Sequence, residues 1–174
     1  MPKWIKFFKK SSFIYLSSLS SIHYYKKIIY HAIDKDLTLI ISNDININIT
    51  ELEVLCSLVG WVKRPPQKVK KAINTSLLNL TLSLHHRSQY KLIGFVRAIS
   101  DNAFNATIWD MVIHPEYQSQ GLGTILMKTI IQELRYLEID TITLFADAKS
   151  IKFYNKLGFI PDPLNIKGMF WYPQ

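Results

Sequence analysis

The run from 106 to 137 constrains this chain most, because it fixes a strand, a polar loop and a helix in that order. ATIWDMVIH (106–114) is apolar and bounded, so it reads as a strand, and Pro115 ends it. A helix follows from about Gln120 to Leu137. Leu122, Ile125, Leu126, Ile130, Leu134 and Leu137 make one apolar face of it. That face needs a sheet to lie on, and the flanking segments supply one. DLTLIISND (36–44), LNLTLSLHH (78–86) and YKLIGFVRAIS (90–100) read as strands, the last two as an antiparallel hairpin turning at RSQ. ITELEVLCSLVGWV forms a helix that Thr50 caps, and RPPQKVKKAINTS opens a second one on prolines tolerated in a first turn. After the central helix come a strand TITLFA (141–146), a short helix AKSIKFYNKL (148–157), Gly158 as its left-handed stop, and a closing strand KGMFWY. Consecutive strands followed by strand-loop-helix-strand-helix-strand give a mixed α/β fold.

The chain has 174 residues, enough for one domain with its own core. Its single cysteine, Cys56, excludes an internal disulfide framework and a cysteine-rich zinc site, and histidines and acids never fall at a ligand spacing, so no metal is expected. No stretch reaches the roughly 18 uninterrupted apolar residues of a membrane span. The net charge of +8 is uneven: Lys3, Lys6, Lys9, Lys10, Lys26 and Lys27 all precede the first acid, Asp34. Residues 1–35 therefore read as a basic N-terminal extension and 36–174 as the folded domain. The extension is Ser-rich like a transit peptide but lacks arginine. Trp4, Phe7 and Phe8 among its lysines would suit contact with a membrane surface.

Two glycines one residue apart, Gly121 and Gly123, open the central helix, and such a turn can seat a phosphate. A Walker loop requires Gly-Lys-Ser/Thr, but Gly123 is followed by Thr124 and Ile125. A dinucleotide fingerprint requires a third glycine, but Leu126 holds that position and six residues separate the strand from the turn. The reading that remains uses the whole loop. Backbone N–H groups from Ser119 to Gly123, backed by the positive helix end, can point at one centre suited to a pyrophosphate, with a plain strand-to-helix turn as the alternative.

Gln118-Ser119-Gln120-Gly121-Leu122-Gly123 resembles the Q/R-x-x-G-x-G/A signature of the GNAT family of N-acetyltransferases. A second family element, the aromatic-Tyr pair with Gly-Phe at the end of the next helix, stands here as Phe153-Tyr154-Asn155-Lys156-Leu157-Gly158-Phe159. WDMVIHPEYQSQGLG, FADAKSIKFYNKLGFIPDP and KGMFWYP further resemble the cyanobacterial and plastid branch, over roughly residues 36 to 173. The chain departs from many family members at Asp147 and Ser150, where Asn and Ala are common.

The resemblance implies the GNAT fold, a mixed and mostly antiparallel sheet flanked by helices, and acetyl-CoA as co-substrate. It implies that Gln118, Ser119, Gln120, Gly121, Leu122, Gly123 and Thr124 hold the pyrophosphate. The backbone of Met111, Val112 and Ile113 would pair with the pantetheine arm as an added strand does, with one N–H facing the thioester oxygen. It implies Tyr154 as the general acid for the CoA thiolate, since a phenol near pKa 10 keeps its proton at pH 7. For the base the residues leave alternatives. Asp110 is an acid in mid-strand, acting through a water or else paired with a neighbour such as Arg97. His114 at the strand end and Asp101 after the preceding strand also qualify, while His85 and His86 read as surface.

The implied reaction is transfer of acetyl to a primary amine by direct attack in a ternary complex. Protein N-termini and lysines are the acceptors expected, with small aromatic amines as the other class, and Trp171 and Tyr172 in the tail would shape the acceptor pocket. The expected location is the chloroplast stroma, or the cytoplasm of a bacterium. A CoA-binding regulatory module without turnover is the competing reading. Nucleic-acid binding by the aromatic tail and basic arm is disfavoured against a tail packed as a closing strand. The oligomeric state has no sequence signature.

Overall fold

The computed structural model describes residues 26–32, 37–43, 46–86 and 89–172. The aromatic and basic residues of 1–25, with the membrane contact expected of them, lie outside these. The chain divides into two compact units between Leu144 and Phe145, each described here by itself.

The first unit carries a six-stranded sheet in sequential order: β1 (Lys26–Ala32), β2 (Leu37–Ser42), β3 (Leu78–His86), β4 (Gln89–Ser100), β5 (Asn105–Ile113) and β6 (Thr141–Leu144). Every neighbouring pair is antiparallel except β5–β6, which is parallel. This is the expected mixed, mostly antiparallel sheet flanked by helices. The parallel pair requires a crossover, and helix α3 (Leu122–Tyr136) provides it. Strand β1 falls inside the stretch read as an extension. Its sequence KKIIYHA does not alternate, so periodicity gave no strand signal there.

Helix α1 (Ile49–Leu58) is capped by Asn48 and not by Thr50. The Asn48 Oδ1 accepts the N–H groups of Thr50 at 3.0 Å and Glu51 at 3.2 Å, which places Thr50 inside the first turn. Helix α2 (Pro66–Asn74) starts on its prolines as expected. Leu52, Leu55 and Cys56 of α1, Val69 and Ile73 of α2, and Leu92, Phe95 and Val112 of the sheet form one buried cluster. Helix α3 packs across β3, β4 and β5 and buries Leu122, Leu126, Ile130 and Leu134 from the predicted face. Burial of these side chains, at roughly 1.5–3 kcal/mol each, holds α3 against the sheet.

The second unit contains helix α4 (Ile151–Asn155), shorter than expected, and a 3-10 turn at Pro163–Asn165. Gly158 has the left-handed φ of +95° anticipated for a helix stop. No closing strand forms among the described residues of 145–172. MFWY is a continuous apolar run without the period-two pattern that would commit it to one face of a sheet. Met169, Phe170, Trp171 and Tyr172 are exposed.

Candidate functional site

Strand β5 is exceptional in two ways. Strand β6 pairs only with Asn105 to Ile108. Beyond that point no strand among the described residues pairs with the same edge of β5, where Gln118 Nε2 reaches Ile113 O. The strand also bulges. Arg97 faces Trp109 and Phe95 faces Val112, so Asp110 and Met111 together oppose the single residue Val96. Asp110 adopts φ +54°, a left-handed conformation that aspartate tolerates better than most side chains.

The Asp110 carboxylate is engaged through one oxygen. Its Oδ2 accepts from Arg97 Nε at 2.7 Å and is paired with Arg64 Nη1 at 3.0 Å. Arg64 lies in the α1–α2 connection and is itself fixed by Glu53 of α1. Its backbone N–H donates to Glu53 Oε2 at 3.0 Å, and its Nε and Nη2 donate to Oε1 at 3.2 and 3.1 Å. Arg97 Nη1 reaches Ser76 Oγ at 3.2 Å. Burial pushes the Arg64 pKa down, but the Asp110 charge and hydrogen bond outweigh this and hold it above the ordinary range. Burial pushes the Cys56 thiol up to about 11, so it is no nucleophile at neutral pH. Sequence reasoning proposed Arg97 as a neighbour of Asp110 but missed Arg64 and Glu53. Both lie more than 40 residues upstream in a helix and its following turn, where no motif marks them.

His114 ends β5, with its N–H bonded to Ile93 O at 2.8 Å. Its Nδ1 accepts the Glu116 N–H at 3.3 Å and so helps cap the 3-10 turn Pro115–Tyr117. Burial first, then the Lys91 charge, lowers its pKa below 6.5; Glu116 acts in the opposite direction. The folded chain therefore binds this proton less readily than the unfolded chain. The stability His114 contributes is complete above pH 6.5 and is lost as pH falls through the lower folded value. The wild type should lose more Tm than His114→Gln between about pH 7.5 and about pH 5. Equal losses would show that His114 does not titrate in this window.

Asp101, the third candidate base, closes the β4–β5 turn. Its Oδ1 accepts the N–H groups of Ala103, Phe104 and Asn105 at 2.9–3.0 Å, and its Oδ2 accepts Asn105 Nδ2 at 2.8 Å. The Asn105 hydrogen bonds, backbone first, hold its carboxyl far below the usual range, which is unfavourable for proton abstraction.

The glycine loop is shaped by its own side chains. Gln118 Nε2 donates to Ile113 O at 2.9 Å and Gln120 Nε2 to Glu116 O at 2.9 Å, so both glutamines brace the loop. Ser119 and Gly121 turn the chain with φ of +59° and +85°. Helix α3 then begins at Leu122, and no side chain caps its end. The amides of Leu122, Gly123 and Thr124 precede the first residue whose N–H bonds within the helix, Ile125 to Gly121 O at 3.1 Å. A helix start that no side chain caps, following a strand with no strand partner past Ile108 on its β6 side among the described residues, fits a ligand with an anionic group joined to an amide-bearing chain.

In the second unit Tyr154 sits on α4, half-buried, with Phe153 and Phe159 edge-on at 5.0 and 6.0 Å. Burial, and secondarily Asp147, raises its pKa above 10. The phenol therefore keeps its proton at neutral pH and can donate it. Among the described residues, no three His, Cys, Asp or Glu side chains are grouped to hold a metal ion.

Comparison with known proteins gives the family and the fold. The model of the acetyltransferase (GNAT) family matches residues 48–159. The uncharacterized N-acetyltransferase ycf52 of Pyropia yezoensis is 49% identical, over 98% of each chain. A chloroplastic GCN5-related N-acetyltransferase 2 of Arabidopsis thaliana is 42% identical, over 78% of this chain and 59% of its own. Among solved structures, a probable acetyltransferase from methicillin-resistant Staphylococcus aureus superposes with a TM-score of 0.67 at 25% identity, covering 78% of this chain and 99% of its own.

Proposed function

This chain belongs to the acetyltransferase (GNAT) family and is an acetyl-CoA-dependent N-acetyltransferase, and on that footing we propose that it acetylates a primary amine of a polypeptide, an N-terminus or a lysine, by direct attack in a ternary complex in the plastid stroma. The observation that carries the reading is a bulged β5, which has no strand partner past Ile108 on its β6 side among the described residues, leading into an α3 start that no side chain caps. The chloroplastic relative supports the location.

Each part of the site takes one task. The amides of Ser119 to Thr124 hold the pyrophosphate, with Gln118 and Gln120 bracing the loop that presents them. The backbone of Met111, Val112 and Ile113 pairs with the pantetheine amides. An N–H at the bulge faces the thioester oxygen and stabilises the negative charge that develops there as the amine nitrogen attacks. The carbon–sulfur bond then breaks and the leaving sulfur takes a proton, a role that the family resemblance assigns to the phenol of Tyr154. The amine's own proton leaves through water. Asp110 stays in the site, in the role argued below.

Gly121 tests the anion seat. A β-branched residue at φ +85° is strained, so Gly121→Val should distort the loop and raise the Kd for acetyl-CoA by about tenfold or more. Titration calorimetry measures this, and an unchanged Kd would remove the loop from the binding site. The function itself is tested by incubating the full chain with isotope-labelled acetyl-CoA and a panel of peptides with free N-termini, lysine peptides and serotonin. Label on peptide amines is expected. Label on serotonin alone would shift the acceptor to small aromatic amines, and binding without any transfer would make the chain a CoA-binding module.

A further inference from the structure

We infer that Asp110 is a positioning residue, held by Arg64 and Arg97 in the left-handed conformation that keeps the β5 bulge open, and is not the base. The inference rests on the reading of the bulge as the place where the thioester oxygen is received. Three observations carry it. Asp110 is the residue at which the strand departs from extended geometry, with φ +54° in the middle of β5. Its Oδ2 carries two guanidinium contacts, at 2.7 and 3.0 Å, from two different elements. Arg64, which supplies one of them, is anchored by Glu53 through its backbone N–H and its side chain.

The geometry explains why these residue types are needed. A left-handed residue in a strand reverts to extended backbone unless its surroundings hold it. Reversion at 110 would change the course of β5 where two of its residues oppose Val96. Arg97 reaches the carboxylate from the neighbouring strand, one register step from the bulge. Arg64 reaches it from the α1–α2 connection, so the bulge is tied to two elements and not only to its own ladder. A planar fork with several fixed donors is required, because Arg64 serves Glu53 and Asp110 at once. Both contacts fall on Oδ2, so the two guanidinium groups fix the orientation of the carboxylate.

Asp110→Gly, Asp110→Asn and Asp110→Ala separate the possibilities. Glycine adopts a positive φ freely and asparagine does so readily, whereas alanine does not. If Asp110 positions the bulge, Gly and Asn should keep kcat within about tenfold of wild type while Ala loses about 100-fold, the scale of a lost oxyanion donor. Acetyl-CoA Kd should change little in all three. If Asp110 is the base, Gly, Asn and Ala should fall together and the acid limb of the pH–rate profile should disappear. If the ion pairs serve stability alone, Tm should fall in each variant with kcat of the folded protein unchanged.

A double-mutant cycle gives the second readout. Arg64→Gln should lower kcat in the wild-type background and have no further effect in Asp110→Gly, because glycine no longer has a carboxylate to hold. An equal loss in both backgrounds would overturn the clamp. Should Asp110→Ala fail to fold, this cycle decides the matter. Wild-type protein that binds acetyl-CoA but acetylates nothing would refute the transferase reading, and the inference would fall with it. Turnover in the wild type with Gly as inactive as Ala would refute the inference alone.

Discussion

Tyr154→Phe is expected to lower kcat by about 100-fold, the lower end of what a general acid contributes, while leaving the Kd for acetyl-CoA nearly unchanged. The substitution removes one oxygen and keeps the ring, so the contacts with Phe153 and Phe159 survive and α4 should fold as before. What is lost is the proton for the leaving sulfur. Because burial holds the phenol's pKa above 10, its deprotonation should not limit the wild type anywhere near neutral pH. The variant should also depend more steeply on the acidity of the leaving thiol, which can be read by replacing acetyl-CoA with thioesters of more acidic thiols. Rates recovering toward wild type with such donors would identify the lost step as sulfur protonation. An unchanged kcat would remove Tyr154 from the mechanism.

Phe95→Ala should destabilise the fold by about 3–5 kcal/mol, as large aromatic truncations in packed cores do. Phe95 is 0% exposed, lies in the cluster that joins α1 and α2 to the sheet, and pairs directly with Val112 beside the bulge. Against a typical total stability of about 5–15 kcal/mol this is a large share. The corresponding fall in Tm is roughly 6–20 °C for a chain of this size. Because the neighbouring residue pair borders the bulge, the surviving folded protein should also lose turnover. A fall in Tm below about 2 °C would mean that the cavity collapses without strain and that the cluster is not the keystone of the unit.

Much of the fold is legible in the sequence because it rests on periodic patterns. The face of α3, the β3–β4 hairpin and the left-handed stop at Gly158 all follow from local rules that the structure obeys. The loop before α3 is legible as a turn because Gly121 supplies the left-handed φ of +85° from which the helix starts. Three things are not legible, each for a physical reason. Strand β1 has no alternation, so only its pairing with β2 defines it. The tail MFWY is apolar throughout, and hydrophobicity without a period does not choose between strand and coil. The clamp on Asp110 joins residues 53, 64, 97 and 110, whose meeting depends on how α1 and its following turn pack on β5. Sequence reading could therefore find the acid in mid-strand and one neighbour, but not the second guanidinium.

Whether β5 and the loop before α3 seat acetyl-CoA can be read from the melting temperature of the full chain with acetyl-CoA, with NAD and with ATP, each measured separately. A ligand present at 100 times its Kd adds about 2.7 kcal/mol, which raises Tm by roughly 5–10 °C at this length. That rise is expected with acetyl-CoA and not with NAD or ATP, and a much smaller rise for Gly121→Val at the same acetyl-CoA concentration. A folded wild-type protein whose Tm does not move with acetyl-CoA, or moves equally with all three, would contradict an acetyl-CoA seat there.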